Sequence, residues 1–179
     1  MMLNPLVKCG ILKNVEDLSI CSSFDCGDGD LNEYFHEDVK WHREETYCLY
    51  NSTAPNIILA LLDFCNDAIK FQYSLPFTPG LDLRIHYPFL PAVKLTRIGV
   101  AKELRGNNIG THALNLVKQF FTTENRTGCR FITVDSYKDP IVIHFYEKNG
   151  FKLFPVDNKE DKKKHTLAMY FDLKRFRNI

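Results

Sequence analysis

Apolar residues recur along this chain with two different periods, and the change between them separates predicted strands from predicted helices. Residues 98–101 form a short apolar run that is typical of a strand. After a polar turn, apolar residues recur every three or four positions, as on one face of a helix. These residues are Ile109, Ala113, Leu116, Val117, Phe120 and Phe121. The pattern therefore predicts a strand, a tight turn and a helix, in that order.

Three strands and one helix are predicted before this centre. The strands cover residues 6–12, 46–50 and 57–64, and the last two should form an antiparallel hairpin. Asp30 and Glu33 are predicted to begin the helix as a variant of the capping box. Its buried face is formed by Leu31, Tyr34, Phe35 and Val39. Trp41 falls on nearly the same stripe as Tyr34, so we expect it to pack in the core; lining an acceptor groove is the alternative.

The segment before the central strand is less regular. Residues 66–91 are rich in aromatic residues and contain four prolines, so they are predicted to form an excursion between the third and fourth strands. In the fourth strand the apolar positions change from Val93 and Leu95 to Ile98 and Val100. A shift from odd to even positions is what a β-bulge causes, and we expect one here.

The pattern in the rest of the chain predicts three strands and one helix, which follows the first of these strands. Residues 131–136 should pair in parallel with the fourth strand through a right-handed crossover. Asp139 and Pro140 begin the helix, and Gly150 ends it. Its apolar face consists of Ile141, Val142, Phe145 and Tyr146. Residues 151–154 and 166–173 are the last two predicted strands, and the charged residues 158–165 between them are most simply a solvated loop.

Composition narrows the class of protein. The chain has 179 residues, with 45% hydrophobic and 25% charged, which predicts one globular domain over residues 1–179. A net charge of +1 indicates no general preference for nucleic acid or membrane surfaces. The six cysteines have no metal-binding spacing, so we expect reduced thiols, no metal and a cytoplasmic location. We find no signal peptide and no apolar run long enough to span a membrane.

The polar turn at residues 102–110 has the chemistry of a phosphate site. Gly106 and Gly110 lie where the chain enters the helix, and glycine allows conformations that other residues avoid. The start of a helix presents unpaired N–H groups and partial positive charge, which bind phosphate. Neither the dinucleotide fingerprint nor the P-loop pattern is present.

Two segments resemble the GNAT acetyltransferase superfamily. The RGNNIG sequence at residues 105–110 resembles its acyl-CoA loop, R/Q-x-x-G-x-G/A, with Asn108 in place of one glycine. Asparagine is the residue that next best tolerates a positive φ. The FYEKNGF sequence at residues 145–151 resembles a segment near the C-terminus of many GNAT enzymes, in the same order along the chain.

The resemblance runs over residues 25–173 and implies a fold, a reaction and a site. The fold is α/β, with a central mixed sheet of six to seven strands flanked by helices. The reaction transfers the acetyl group of acetyl-CoA to a primary amine by direct attack in a ternary complex. Tyr146 would protonate the departing thiolate, and backbone N–H groups near Ile98 and Val100 would polarise the thioester carbonyl. The pyrophosphate would lie on Arg105, Gly106, Asn107, Asn108, Ile109, Gly110 and Thr111.

A general base is not evident in the sequence. Asp135, Glu45 and His112 are candidates. An acceptor α-amino group, with a pKa near 7.7 to 8.0, would need little help at neutral pH, whereas a lysine amine near 10.4 would need a base.

The acceptor is left open among several classes. A small-molecule or peptide amine is the general expectation for the superfamily. The FDCG and LNEYF sequences around residues 24–35 resemble a branch that includes toxins acetylating aminoacyl-tRNA, which would imply an antitoxin partner. The basic clusters at residues 162–164 and 174–177 suit such an acceptor, while the net charge of +1 opposes it. A non-catalytic CoA-binding module and a homodimer also remain open.

Overall fold

This computed structural model describes residues 10–14, 18–41, 45–51, 54–70, 89–123, 128–154 and 165–176, which form both strands and helices. The strands are β1 (Gly10–Asn14), β2 (Glu45–Asn51), β3 (Ala54–Lys70), β4 (Phe89–Val100), β5 (Phe131–Tyr137), β6 (Lys152–Leu153) and β7 (Thr166–Asp172). The α-helices are α1 (Gly29–His36), α2 (Ile109–Thr123), α3 (Pro140–Lys148) and α4 (Leu173–Phe176). Short 3-10 helices lie at Leu18–Ser23, Asp38–Lys40 and Lys102–Leu104.

All seven strands belong to one sheet, in the order β1-β2-β3-β4-β5-β7-β6. Strand β2 is antiparallel to both β1 and β3, and Cys48 lies opposite Leu61. Strand β7 is antiparallel to both β5 and β6, and Val134 lies opposite Met169. The predicted α/β architecture with a mixed sheet of six to seven strands is therefore confirmed.

The chain divides into two compact units, and the first comprises Met1–Cys65 and Leu95–Val117. Its core lies around α1, where the Phe35 ring meets the rings of Phe24 and Tyr34 edge to face, at 5.8 and 5.5 Å between centroids. A Cβ atom on Gly99 would lie 3.1 to 3.2 Å from side-chain atoms of Phe24, Cys26 and Phe35. Glycine therefore interrupts the apolar run of β4 because the core of this unit leaves no room for a side chain.

The second unit comprises Asn66–Lys94 and Lys118–Ile179. Its core contains Ile69, Leu90, Ala92 and Phe131, with Phe154 and Tyr170 packed against them. Arg130 donates to both carboxylate oxygens of the buried Asp172, at 3.2 and 2.9 Å. The Arg130 carbonyl accepts from the N–H of Leu173 at 2.9 Å, so the start of β5 is fastened to the end of β7.

Strands β3 and β4 extend into the predicted excursion. Strand β3 continues to Lys70 and β4 begins at Phe89, so the ends of the predicted excursion belong to the sheet. Burial in β4 moves from even to odd positions between Ala92 and Val93, and Leu95 and Gly99 are buried further along the strand. A bulge between Leu95 and Ile98 stays a prediction. Residues 6–9, 71–88 and 158–164 lie outside the described residues.

The start of α1 differs from its prediction. Asp28, not Asp30, is the N-cap, and its carboxylate accepts from the N–H of Leu31 at 3.1 Å. Asp30 lies inside the first turn, where an acidic side chain suits the helix dipole.

The prediction for Trp41 is wrong, since this side chain is 85% exposed. Helix α1 ends at His36 and a 3-10 helix follows, so the period that aligned Trp41 with Tyr34 is broken.

Candidate functional site

The loop between β4 and α2 has the backbone that a phosphate site needs. Gly106 has a φ of 79° and Asn108 a φ of 60°, so Asn108 takes the left-handed conformation expected at its position. Apart from its two neighbours in the chain, no described residue has an atom within 4 Å of the point where a Cβ on Gly106 would be. The side-chain amide of Asn107 donates to the carbonyls of Leu104 and Arg105, at 3.2 and 3.3 Å, and so ties the turn together from within.

Helix α2 begins directly behind this loop. The N–H of His112 donates to the carbonyl of Asn108 at 3.0 Å, which is the first bond of the helix. The N–H groups that precede it have no acceptor within the helix, because no turn lies before them. Ile109 is 1% exposed and anchors the helix start, while Arg105, Gly106 and Asn108 are exposed. The loop therefore offers exposed backbone at the positive end of a 15-residue helix.

A network of hydrogen bonds from the FDCG segment holds the turn before the loop. The carbonyl of Asp25 accepts from the N–H of Lys102 at 2.9 Å. The Asp25 carboxylate accepts from the side-chain amide of Asn32 at 2.8 Å and from the N–H of Gly27 at 2.7 Å. These two bonds, with the Asn32 bond the stronger cause, lower the pKa of Asp25. The N–H of Cys26 donates to the other end of the Asn32 amide at 2.9 Å.

Strand β4 carries the predicted thioester segment. Ile98 and Val100 are half-buried on either side of the buried Gly99. The guanidinium of Arg97 lies over the ring of Tyr34, with its Cζ atom 4.6 Å from the ring centroid. The hydroxyl of Tyr34 donates to the carboxylate of Asp63, and Thr96 Oγ1 donates to the Asp63 carbonyl at 3.1 Å.

Sequence reasoning missed this buried carboxylate. Asp63 is 0% exposed, and it is the one charged residue in the otherwise apolar stretch of residues 57–65. A charge inside a strand that is covered on both faces was the available signal, because such a group is costly to bury without partners.

Tyr146 lies in the last turn of α3, in the second unit. The Asp139 carboxylate caps the helix by accepting from the N–H groups of Ile141 and Val142, as predicted. At the other end, the N–H of Phe151 donates to the Tyr146 carbonyl at 3.0 Å. The N–H of Gly150 donates to the Glu147 carbonyl at 2.8 Å, and Gly150 has a φ of 82°.

These two bonds are those of a Schellman motif, which explains the order of residues in the FYEKNGF segment. Glycine is required at the left-handed position, and the following aromatic residue folds back onto the helix. The ring of Phe151 lies 5.4 Å from that of Tyr146. Tyr146 is only 7% exposed, and burial raises the pKa of its hydroxyl well above the usual value. The phenol is therefore neutral and protonated at physiological pH.

The candidate bases differ in their surroundings. The carboxylate of Asp135 is half exposed and forms an ion pair with Lys94 Nζ at 2.6 Å, in the second unit. His112 is half-buried in the first turn of α2, in the first unit. The side chain of Glu45 lies outside the described part of the chain. The base therefore stays a prediction for each of the three residues.

Residues 80–151 match the family model described as "Acetyltransferase (GNAT) family". The matched stretch contains the loop at residues 105–111 and Tyr146. A search of curated proteins finds no match. No helix among the described residues is long and apolar enough to cross a membrane.

Solved structures share the fold over almost the whole chain. AtaTR bound with AcCoA has a TM-score of 0.72 at 20% identity, covering 96% of this chain and 98% of that one. A tyrosine-to-phenylalanine mutant of KacT has a TM-score of 0.71 at 18% identity, covering 94% and 98%. AtaT complexed with acetyl-methionyl-tRNAfMet has a TM-score of 0.68 at 22% identity, also covering 94% and 98%.

The predicted resemblance is confirmed by the family match and by the shared fold. Enzymes of this family take their acetyl group from acetyl-CoA. The matched segment and the architecture of the sheet together show a GNAT acetyltransferase domain with the GNAT fold in this chain.

Proposed function

We propose that this enzyme acetylates a primary amine by direct attack of the amine on the thioester of acetyl-CoA. The amine nitrogen forms a bond to the carbonyl carbon, and the carbon–sulfur bond breaks. The amine loses a proton, and the departing CoA thiolate gains one. The conformation of the loop at residues 105–111 carries this proposal, because exposed backbone at the start of a helix suits the phosphates of CoA.

The loop would hold the pyrophosphate mainly through its backbone. Gly106 and Asn108, both with positive φ, expose the backbone of the turn, and the helix start behind them favours negative charge. The exposed Arg105 adds a cation at the rim. The bonds from Asp25 and Asn107 support this assignment, because they hold the turn in this conformation through the N–H of Lys102 and the carbonyls of Leu104 and Arg105.

Two further groups are assigned to the thioester of acetyl-CoA, one to its carbonyl oxygen and one to its sulfur. We assign the backbone N–H groups near Ile98 and Val100 to the carbonyl oxygen, where negative charge develops as the amine attacks. We assign the hydroxyl of Tyr146 to the departing sulfur. The phenol is protonated at neutral pH, so it has a proton to give to the thiolate.

Aminoacyl-tRNA is a second candidate acceptor, and the FDCG and LNEYF segments favour it. Residues of both segments form the hydrogen bonds of Asp25 and Cys26 with Asn32. The sequence that resembles the toxin branch therefore has a defined structural role here. AtaT, which shares the fold, is described as complexed with acetyl-methionyl-tRNAfMet. Its α-amino acceptor would need little help from a base. An antitoxin would then be the protein partner.

A turnover screen tests the proposal. The purified protein is mixed with acetyl-CoA and with small amines, peptides or charged tRNA in turn, and release of free CoA is followed. Turnover with one acceptor class identifies the substrate. Thermal stabilisation by CoA without turnover in any arm would instead support a non-catalytic CoA-binding module.

A further inference from the structure

Lys118 is a buried lysine that reaches from α2 to the end of α3. Its side chain starts in the middle of α2, and the residue is only 4% exposed. The Nζ atom donates to the carbonyl of Asn149 at 2.7 Å. The same atom lies over the ring of Phe171, 4.4 Å from the centroid, and 5.8 Å from the centroid of Phe151. All of these residues belong to the second unit.

Asn149 is the residue that ends the helix of Tyr146. Its N–H donates to the carbonyls of Tyr146 and Phe145, at 3.0 and 3.2 Å. Its side-chain amide donates to the Phe145 carbonyl at 2.8 Å. The Tyr146 carbonyl also accepts from Phe151 at 3.0 Å. A single residue, Asn149, therefore separates the ammonium of Lys118 from the backbone of Tyr146.

The aromatic rings make a second connection between the same groups. Phe171, under the ammonium, lies 5.5 Å from Phe151, and Phe151 lies 5.4 Å from Tyr146. A Cβ on Gly150 would lie 3.1 Å from the Phe171 ring, so this ring also closes over the turn. The backbone and the ring of Tyr146 are thus both held by groups that Lys118 contacts.

An apolar side chain would fill this position at less cost. Burial lowers the pKa of Lys118 to about 8, which shows that the site disfavours the charge. The ammonium supplies a directional bond: it donates to the carbonyl of Asn149, the C-cap of α3, at the negative end of the helix dipole. Retaining a buried charge in this way suits a role in fixing one geometry of the turn.

We propose that Lys118 is a positioning residue for the acid step, holding the last turn of α3 so that the Tyr146 hydroxyl points at the departing sulfur. The proposal rests on the proposed role of Tyr146. Because the ammonium contacts Asn149, Phe171 and Phe151 and acts through them, its loss should affect the chemical step and spare the binding of acetyl-CoA.

A double-mutant cycle tests the proposal. Lys118→Met keeps the length of the side chain and removes its charge and its donor. We expect kcat to fall by about 10- to 100-fold, as a misplaced catalytic group causes, with the Kd of acetyl-CoA within twofold of wild type. In a Tyr146→Phe background, the same substitution should change kcat by less than twofold, because no hydroxyl is left to position. Phe121→Leu, a buried change on the same helix, is the control for lost stability and should keep kcat.

A kcat near wild type for Lys118→Met, or an equal fall in both backgrounds, overturns the positioning role. A wild-type kcat for Tyr146→Phe alone overturns the acid role, which is part of the proposed function, and is seen before Lys118 is changed. If Lys118→Met does not fold, Lys118→Gln is measured by the same criteria.

Discussion

At the scale of the residue, the hydroxyl of Tyr146 should decide the rate of the chemical step. Tyr146→Phe removes one oxygen and leaves the ring contacts with Phe145 and Phe151 in place. General acid catalysis is typically worth about 10² to 10⁴ in rate, so kcat should fall by that factor in steady-state assays. Affinity for acetyl-CoA, measured by calorimetry, should hardly change.

Tyr137→Phe is the matched control, since Tyr137 is half exposed and lies outside the proposed site. It should leave kcat unchanged. A Tyr146→Phe enzyme within about threefold of wild type would show that Tyr146 is a core aromatic residue and that another group protonates the thiolate.

Because of Lys118, the free energy of unfolding should change with pH in the alkaline range. Its pKa is about 8 in the folded protein, against the ordinary value of 10.5. Between these values the unfolded chain binds a proton that the folded protein lacks, so the Lys118 contribution to stability rises with pH. Below pH 8 both states are charged, and the full cost of burying the ammonium is present.

Comparison with Lys118→Met isolates this effect, because the other titrating groups cancel in the difference. From pH 8 to pH 9.5 the wild type should gain about 1.5 kcal/mol relative to the variant, because the slope rises from half to nearly all of about 1.4 kcal/mol per pH unit. Urea unfolding at both pH values measures the gain. A difference that does not move with pH would mean that Lys118 keeps its ordinary pKa.

At the scale of the element, the strand, loop and helix at residues 98–123 should act as one anion site. Gly110→Glu places a carboxylate and a larger side chain in the first turn of α2, where the pyrophosphate is proposed to bind. Repulsion between like charges should weaken acetyl-CoA binding at least tenfold in calorimetry. Gly29→Glu, in the first turn of α1, is the control and should leave the affinity unchanged. A folded Gly110→Glu protein with wild-type affinity would place the CoA site elsewhere.

At the scale of the whole molecule, the open question is the size of the acceptor. A net charge of +1 supplies little general attraction for tRNA, whose phosphates account for much of the affinity in such complexes. If aminoacyl-tRNA is nevertheless the acceptor, expression should arrest translation, and acetylated aminoacyl-tRNA should accumulate in extracted RNA. Tyr146→Phe should relieve the arrest. Normal growth during strong expression of folded, CoA-binding protein would point to a small amine or a peptide instead.

Most features that depend on neighbours in the chain were predictable from the sequence, although the N-cap of α1 is Asp28 rather than Asp30. The left-handed conformation of Asn108, the cap by Asp139 and the stop at Gly150 are all present as expected. In each case the residue's own backbone preference, or a bond to a residue two or three positions away, decides the conformation. The two segments that carry the resemblance to the GNAT family are of this kind, and it is that resemblance that implies the fold and the reaction class.

Features that depend on distant residues were not predictable from the sequence. Trp41 is exposed because α1 ends at His36. The helical period that the sequence shows beyond that residue does not correspond to a helix in the structure. Asp63 and Lys118 are buried polar groups whose partners, Tyr34 and Asn149, lie far away in the chain. The sequence by itself determined the local conformations and the reaction class. The tertiary structure alone decided which polar groups are buried and what they hold, because burial and long-range contacts arise only when separate segments pack together.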